Sequence, residues 1–517
     1  MQDLKLIAKG AGFVFLGFAV SKVLSYFYRV IIARFLGPGD FGLFSIGLAV
    51  VGIVTAFGAL GLYQGVLYFV AVFESQGKKE NVLGTILGSL KLQLFSSVLF
   101  ALALLILAEP IALIVFNQPG LTIVLQLLAL TIPFQVITSN MMILAQAFKK
   151  IEYKVLLRNI IESIAKLVLT FLLLFFGFGV AGASLALALS SAFALAVSIW
   201  LIQKRVYRIF ASSVKPVYNF WQLFSYSWPL FATGFFMMIM SNIDTICLGI
   251  LDTAYNTGIY NVATPTARIL ELPSFALMSL FLPVATGLYV TKRMRELDKT
   301  YKTVVRWVFT LTFPCALFAI IFSREILSIL FGPLYGLGAS ALSILALGFF
   351  TYSLMDASRC MLQPIAKTKL ILFNTIVGAT ANVILNFLLI PPLGIIGAAL
   401  ATAFGYSLWS TLALWEVYAA IKIHPFDKAY WKPTIATLAI TALFFALKSS
   451  VQPIDSMLFP ISLLLLLSFG VAFLAGFALI LLLIKGLQRE DVEIMKALEN
   501  KTGFKVKFVR NMVKRFI

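Results

Sequence analysis

The sequence predicts an all-α polytopic membrane protein with 14 transmembrane helices. Of its 517 residues, 61% are apolar and only 12% are charged, and the mean hydropathy is +1.00. A soluble protein cannot bury so much apolar surface, so the lipid bilayer must act as the solvent. The apolar residues form runs of about 20 or more, the length of one membrane crossing. Cations collect in the polar segments on one side of these runs.

Short polar or Gly/Pro-rich segments separate the apolar runs and set the boundaries of the predicted helices. The runs cover residues 8–34, 40–73, 82–108, 110–148, 154–177, 179–202, 219–250, 254–290, 303–323, 325–363, 369–390, 394–420, 431–448 and 457–485. Several runs exceed the length of one crossing, so we expect tilted or kinked helices, with prolines such as Pro133, Pro229 and Pro283 at the kinks.

The basic residues indicate the orientation of the chain. There are 41 Lys and Arg residues against 21 Asp and Glu residues. With the N-terminus inside, most of these cations fall in cytoplasmic segments, and the outer segments hold only Arg34, Arg324 and Lys448. The positive-inside rule therefore predicts a multi-pass protein of the cell membrane with both termini in the cytoplasm. Because topology accounts for the basic excess, membrane lipids are expected partners and nucleic acid is not.

An internal repeat relates the two halves of the chain. Four short matches recur at offsets of 215 to 217 residues: 179–186 with 394–401, Gln146 and Lys150 with Gln363 and Lys367, Glu109 with Glu325, and Gly42 with Gly258. Six predicted helices fit in each copy, and an even number keeps both copies in the same orientation, as in a parallel repeat.

The repeat divides the chain into four predicted parts. The first six-helix lobe covers residues 1–210 and the second covers 211–425. Two further helices occupy 426–486, and a basic tail follows at 487–517. Apolar and basic residues interleave in this tail, which predicts a cytoplasmic amphipathic segment on anionic lipid.

The sequence offers little that an enzyme could use. Cys247, Cys315 and Cys360 lie in apolar runs without metal-ligand spacing, and His424 is the single histidine. No Gly-x-x-x-x-Gly-Lys phosphate loop is present, so ATP hydrolysis by this chain is not expected. We predict no catalytic residue, no metal and no cofactor, and therefore not an enzyme.

Two cations stand inside the first predicted helix, where lipid would be expected. Lys22 and Arg29 are seven residues apart and differ by only about 20° around a helix, so they share one face. A cation at the bilayer centre costs on the order of 3 kcal/mol on insertion scales. Lining a hydrated cavity would relieve this cost, and so would snorkelling or an internal salt bridge. We predict that the pair lines a cavity and binds substrate.

The second half of the chain carries further charges within its predicted helices. Arg268 and Glu271 are three residues apart, as are Asp356 and Arg359, so each pair can either neutralise itself or face a cavity. We predict all four as substrate-binding residues. Asp244 has no obvious helical partner and is a candidate for ion coupling. The intramembrane charges of the first half are mainly cationic, which suits a phosphate group.

The chain resembles the multidrug/oligosaccharidyl-lipid/polysaccharide (MOP) exporter superfamily, in its polysaccharide-flippase branch. The residues that carry the resemblance are Ala33-Arg-Phe-Leu-Gly-Pro38 with Phe41-Gly-Leu-Phe44, the two Gly-x-x-Gly-Ala repeats, and Gln146 with Lys149 and Lys150. The resemblance implies two six-helix lobes in a V shape around a cationic cavity, here with two extra helices. Lys22 and Arg268 match cations on helices 1 and 8 of the related lipid II flippases, while Arg29 lies one residue away from another.

The resemblance implies a flippase that moves a polyprenyl-(pyro)phosphate-linked oligosaccharide or glycan precursor from the cytoplasmic to the outer leaflet by alternating access. The lipid-linked glycan is then the expected partner, and the driving force is open between Na⁺, H⁺ and the membrane potential. The alternative is a cation-coupled exporter of drugs or small amphipathic compounds from the same superfamily. Such exporters usually have twelve helices and carboxylates in the first lobe, whereas the first helix here carries none within its apolar run.

Overall fold

A computed structural model describes residues 2–209, 214–450 and 457–486. Within these residues every regular element is a helix, as the hydropathy pattern predicts. The chain divides into two compact units, Met1–Gly258 and Ile259–Ile517, here called unit 1 and unit 2. The basic tail predicted at 487–517 lies outside the described residues.

The described residues of unit 1 form nine α-helices and the start of a tenth. They are α1 (Gln2–Gly58), α2 (Tyr63–Ser75), α3 (Lys79–Pro110), α4 (Leu121–Ala129), α5 (Thr131–Ala147), α6 (Ile151–Val155), α7 (Glu162–Phe175), α8 (Gly179–Leu201), α9 (Phe220–Leu251) and the beginning of α10 (Ala254–Ala267). Short π-helices lie at Ile111–Val115, Leu156–Ile161 and Ile202–Val206.

Unit 2 continues from α10 and holds the remaining helices. They are α11 (Leu272–Val290), α12 (Met294–Ile321), α13 (Ser323–Phe331), α14 (Ala339–Met361), α15 (Thr368–Leu393), α16 (Ile395–Ile421), α17 (Trp431–Ser450) and α18 (Phe459–Leu483). A 3₁₀ turn at Arg268–Glu271 separates α10 from α11, and two more lie at Pro333–Gly338 and Lys428–Tyr430.

Twelve helical stretches of the described chain are long and apolar enough to cross a membrane, so the protein is a multi-pass membrane protein. The first stretch, Val20–Ser75, has 56 residues, more than twice the length that one crossing needs. It is interrupted at Gly37, which leaves helical geometry with φ 72° just before Pro38. This break lies between the first two predicted runs, 8–34 and 40–73.

The predicted division at 210/211 stays a prediction, because compact units follow contacts rather than repeats. Helix α9 packs against α1 and α2, and it therefore clusters with unit 1 although the repeat would give it to the second lobe.

Backbone turns recur at the spacing of the sequence repeat. Residues with left-handed φ form four pairs that are 215 to 217 positions apart: Gly77 and Lys292, Asn117 and Gly332, Lys149 and Ala366, and Gly179 and Gly394. Such conformations are uncommon outside glycine, so their recurrence is a specific feature of the chain path. The turns that join the helices thus follow one pattern in both halves.

The last two helices are fixed to unit 2 by an ion pair and a cluster of aromatic rings. Lys448 Nζ in α17 lies 2.8 Å from Glu325 Oε1 in α13. The Phe473 ring of α18 lies 5.3 Å from Phe318 of α12 and 5.2 Å from Phe444 of α17. Aromatic pairs at such distances add to packing where no hydrophobic force acts between helices.

Candidate functional site

A cavity of about 630 Å³ lies within unit 1, between α1, the end of α5 and the α6–α7 segment. Its lining is unusually rich in charge for a membrane helix bundle. The lining residues are Ser21, Lys22, Ser25, Gln146, Ile151, Lys154, Val155, Arg158, Glu162, Ser163 and Lys166. We call it the charged cavity.

The charges of the α6–α7 segment face the cavity because they recur every fourth residue. Lys154, Arg158, Glu162 and Lys166 follow one another at this spacing, which places neighbours on one helix face. The π-helix Leu156–Ile161 lies in the middle of the series and widens the helix there by one residue per turn. Single π-turns of this kind are frequent at functional sites.

Two of the cations are held by neighbouring polar and aromatic groups. Lys154 Nζ donates a hydrogen bond of 2.6 Å to Gln146 Oε1. The Lys166 ammonium lies over the Tyr28 ring, 4.1 Å from its centroid, a favourable cation–π contact. Arg158 and Lys22 are exposed to the cavity space. Lys154 and Lys166 are thus oriented by neighbouring uncharged groups.

Arg29 lies close to this group although it does not line the cavity. It is half-buried in α1, and both Glu162 and Arg29 act electrostatically on Lys166. Of the predicted pair, Lys22 thus lines the charged cavity and Arg29 does not, and substrate binding by either residue stays a prediction.

The balance of charge determines what the cavity can hold. Four cations, Lys22, Lys154, Arg158 and Lys166, face one carboxylate, Glu162. Like charges in a partly desolvated space repel one another, so an anion that enters lowers the electrostatic energy. Arg and Lys donate charge-assisted hydrogen bonds to phosphate oxygens, and Arg can do so with two bonds at once.

A second, smaller cavity of about 260 Å³ adjoins the first. Arg158, Glu162 and Lys166 line both cavities. The rest of its wall is uncharged and is formed by Tyr28, Phe44, Leu48, Gln135, Thr138, Ser139, Met142, Leu187, Ser191 and Ala194. We call it the neutral cavity.

In unit 2, Arg268 is enclosed by aromatic rings. Its Nη2 donates a hydrogen bond of 2.6 Å to the hydroxyl of Tyr406. Its guanidinium carbon also lies 5.3 Å from the centroid of the Phe349 ring. Arg268 begins the 3₁₀ turn between α10 and α11, so a break in a long helix positions it. The arginine is held in place by α14 and α16.

Asp356 and Arg359 form an ion pair on α14. Ser274 Oγ of α11 donates a further hydrogen bond of 2.9 Å to Asp356 Oδ2. The Arg359 guanidinium lies 5.2 Å from the Trp409 ring and 5.9 Å from the Tyr352 ring. Both carboxylate oxygens and the cation therefore have partners inside unit 2.

The predicted residues of unit 2 gather around one group of rings. Tyr352 and Tyr406 are in edge-to-face contact at 5.2 Å, which joins the surroundings of Arg268 to those of Arg359. Glu271 acts electrostatically on Tyr352 from the same 3₁₀ turn. Asp244, the candidate for ion coupling, lies on α9 of unit 1 with 3% of its surface exposed and lines neither cavity.

The sequence interpretation did not assign two of the lining cations, Lys154 and Arg158, to a site. Both stand at the start of the predicted run 154–177, and they were counted with the cytoplasmic cations and used only to orient the chain. The signal that could have found them is the four-residue spacing that continues to Glu162 and Lys166. The neutral residues Gln135, Thr138 and Ser191 carry no such signal. Within the described residues no cluster of three His, Cys, Asp or Glu could hold a metal ion.

Comparisons with known proteins extend these observations. Residues 7–272 match the family model described as polysaccharide biosynthesis protein, and residues 229–388 match the model described as MatE. The chain is 24% identical over 452 residues to the uncharacterized membrane protein MJ1068 of Methanocaldococcus jannaschii, with 82% of this chain and 86% of that protein covered.

Two relatives come from Haloferax volcanii. The chain is 26% identical over 246 residues to the "Probable low-salt glycan biosynthesis flippase Agl15", covering 47% of this chain and 52% of that protein. It is 25% identical over 243 residues to the "Probable flippase AglR", covering 45% and 51%. Each match thus spans about half of the relative.

Solved structures share the fold. The lipid II flippase MurJ in an inward closed conformation superposes with a TM-score of 0.68 at 17% identity, covering 90% of this chain and 98% of that one. An inward-facing multidrug resistance MATE family transporter of the MOP superfamily gives 0.63 at 17%, covering 78% and 94%. At such identities the likeness shows the fold and not the activity.

The resemblance drawn from the sequence motifs is therefore confirmed. The matching family model covers just over half of the 517 residues, and its range includes the whole lining of both cavities. The chain belongs to the polysaccharide biosynthesis protein family, and it shares its fold with the flippase MurJ and with a MATE transporter of the MOP superfamily.

Proposed function

We propose that the protein is a flippase that moves a polyprenyl-phosphate- or pyrophosphate-linked glycan from the cytoplasmic to the outer leaflet. The observation that carries this proposal is the charged cavity, where four cations and one carboxylate line a space within membrane helices. A membrane protein retains such costly cations where they serve a function. A lipid-linked phosphate supplies the anion, while its lipid tail can stay in the bilayer.

The relatives support the same class of substrate. Agl15 is named as a probable glycan biosynthesis flippase, and the family model is named for polysaccharide biosynthesis. The shared fold supports a transporter that exposes its site to one side of the membrane at a time, since it occurs in an inward closed and in an inward-facing structure.

The finer architecture belongs to this proposal. Fourteen crossings follow if the stretch Val20–Ser75 crosses twice and the helix from Ile151 to Phe175 crosses once, in addition to the other eleven stretches. The two six-helix repeats would form V-shaped lobes, followed by α17 and α18, with both termini in the cytoplasm. The recurrence of left-handed turns supports the repeat.

The predicted residues take proposed roles in this scheme. Lys22 and Arg29 act with Lys154, Arg158 and Lys166 on the phosphate. Arg268, Glu271, Asp356 and Arg359 serve sugar contacts or gating from unit 2. Asp244 remains the candidate for coupling to Na⁺ or H⁺.

A cation-coupled exporter of amphipathic compounds is the second candidate, favoured by the match of residues 229–388 to the MatE model. The charge of the cavity argues against it. An organic cation would meet four positive side chains and a single carboxylate, and its entry would raise the electrostatic energy.

The test is translocation in proteoliposomes. A short-chain polyprenyl-pyrophosphate sugar is loaded, and its appearance at the outer surface is followed with a lectin. We expect Lys22→Gln and Arg158→Gln to slow translocation about tenfold to hundredfold, since each removes a charge-assisted hydrogen bond. Arg293→Gln is the matched control, because Arg293 is an exposed cation that pairs with Glu296 three residues along α12.

The result that rejects the proposal is equally definite. A wild-type protein that leaves this lipid in place but moves an organic cation against a proton or sodium gradient is an exporter. A loss of activity in Arg293→Gln equal to that in Arg158→Gln would show that total charge, and not the cavity, matters.

A further inference from the structure

The neutral cavity has a different chemistry from the charged cavity beside it. Apart from the three residues that it shares, its polar lining consists of hydroxyls and one amide, from Tyr28, Gln135, Thr138, Ser139 and Ser191. Such groups donate and accept hydrogen bonds without charge. Apolar side chains, including Phe44 and Leu187, form the remaining wall. Binding sites for small organic ligands combine apolar walls with a few directed polar groups in this way.

One of these hydroxyls has no partner. Thr138 is only 4% exposed, and its Oγ1 makes no hydrogen bond within the described structure. Several other buried hydroxyls of unit 1 bond to a carbonyl of their own helix, as Ser89 does to Ile86 O at 2.9 Å and Ser190 to Leu187 O at 3.0 Å. A buried polar group without a partner is rare in proteins, and it points to a ligand or water that completes its bonding.

The position of the cavity limits what this ligand can be. Arg158, Glu162 and Lys166 stand between the two cavities and contribute to both walls. A molecule that fills both would place its anionic part among the cations and an uncharged, hydrogen-bonding part beyond them. The neutral cavity has two lining cations and one carboxylate against four cations and one carboxylate in the charged cavity, so a phosphate is favoured in the charged cavity. The Glu162 carboxylate can accept hydrogen bonds from hydroxyls in the neutral cavity.

We infer that the neutral cavity binds the first sugar ring of the lipid-linked glycan, and that Gln135, Thr138 and Ser191 select it. This inference rests on the proposed function. The volume of about 260 Å³ equals that of about nine water molecules at about 30 Å³ each, which is enough for one sugar ring. The ring's hydroxyls meet Thr138, Ser191 and Glu162, while its carbon-bound hydrogens meet the apolar wall.

The test compares the binding of two kinds of lipid to the purified full-length protein in detergent. One is a bare polyprenyl phosphate, and the others are the same lipid phosphate carrying one glucose, mannose or N-acetylglucosamine. We expect the wild type to bind at least one glycosylated lipid about tenfold more tightly than the bare lipid. Thr138→Val and Ser191→Ala should each reduce this preference by about threefold to tenfold, since each removes one hydrogen-bonding hydroxyl.

Two further variants control for changes in folding. Thr138→Ser keeps the hydroxyl and should restore the preference. Thr312→Val removes a fully buried hydroxyl that bonds to Val308 O in α12 of unit 2, and it should retain the wild-type preference.

Each contrary outcome has a separate meaning. A wild type that binds bare and glycosylated lipids equally overturns the sugar subsite and leaves the proposed function standing, with water completing the Thr138 bonding. A preference that survives both Thr138→Val and Ser191→Ala also overturns the subsite. A wild type that binds none of the lipids removes the proposed function, and the subsite is rejected with it.

Discussion

The cations that line the charged cavity of unit 1 and the cations of unit 2 have different surroundings. In unit 1, Lys22 and Arg158 are exposed side chains in the wall of a cavity whose described lining has four cations and one carboxylate. In unit 2, Arg359 pairs with Asp356 and lies against Trp409, while Arg268 is bonded to Tyr406. The cations of unit 1 are thus accessible from a cavity, whereas those of unit 2 are bound to neighbouring side chains.

This difference indicates which cations can bind a ligand and which stabilise the fold. A group of cations that share little counter-charge is unstable by itself and gains from an anionic ligand. A buried ion pair with a hydrogen bond from a third residue is complete, and removing one of its two charges destabilises the structure. Charged residues within membrane helices therefore differ in role. The partners of each charge indicate whether it binds a ligand or stabilises the fold.

The largest expected effect comes from breaking the ion pair of unit 2. Asp356→Asn leaves the Arg359 guanidinium without its carboxylate, and we expect the free energy of unfolding to fall by roughly 3 kcal/mol. This is the low end of the range for buried pairs, because the Arg359 side chain remains 26% exposed. The measurement is thermal unfolding of the detergent-solubilised protein.

A double variant checks the cause. Asp356→Asn with Arg359→Met removes both charges, and it should recover most of the lost stability, since apolar replacements of buried pairs are often neutral. Equal damage in the single and double variants would mean that the ion pair is not what stabilises this part of α14.

The sequence predicted the fold class well because its signals are local. Hydropathy and run length are properties of neighbouring residues, and they identified the helical membrane class without any tertiary contact. One run was too long: 110–148 contains the π-helix Ile111–Val115 followed by two α-helices, α4 and α5. The interruption at Asn117-Gln-Pro-Gly120 was the available signal.

The site was only partly predictable, because a charge near a helix end has two meanings. Lys154 and Arg158 satisfy the positive-inside rule equally well whether they face cytoplasm or a cavity. Lys22 was found because its depth in the first run made exposure to lipid costly. The rings around Arg359 come from residues on different helices, such as Tyr352 and Trp409, and sequence spacing cannot reveal contacts between helices.

The next largest effect is expected in unit 1. Loss of a cation there should not lower the unfolding free energy as Asp356→Asn does in unit 2. Arg158→Gln removes one of four cations that repel one another, so the unfolding free energy of the free protein should stay within about 0.5 kcal/mol of wild type or rise. Inorganic pyrophosphate should stabilise the wild type by mass action. The variant should lose about 1.5 kcal/mol of that gain, the value of one charge-assisted hydrogen bond.

Thermal unfolding with and without pyrophosphate measures both quantities, and Arg293→Gln serves as the control that keeps the pyrophosphate effect. A variant Arg158→Gln that is destabilised as strongly as Asp356→Asn would show that the cations of unit 1 are also structural. The comparison between the units would then be wrong.

The smallest expected difference is between two equivalent glycines of the repeat, and it tests whether both halves follow the same backbone path. Gly179 and Gly394 occupy equivalent positions of the repeat and have φ values of 53° and 54°. Alanine is strained there because its Cβ approaches the backbone in the left-handed region, at a cost of about 1–2 kcal/mol. We therefore expect Gly179→Ala and Gly394→Ala to lower the unfolding free energy by similar amounts. Gly234→Ala is the control, since this glycine lies within α9 and a Cβ there meets open space.

The control should be neutral or slightly stabilising, because alanine favours a helix more than glycine does. Similar losses at Gly179 and Gly394 would mean that the repeat imposes one backbone path on both halves, so that the contrast between the units lies in their side chains. A loss at only one glycine would show that the halves differ already in their turns. The opposite treatment of charge in the two units would then follow from a different chain path and not from different residues on a shared one.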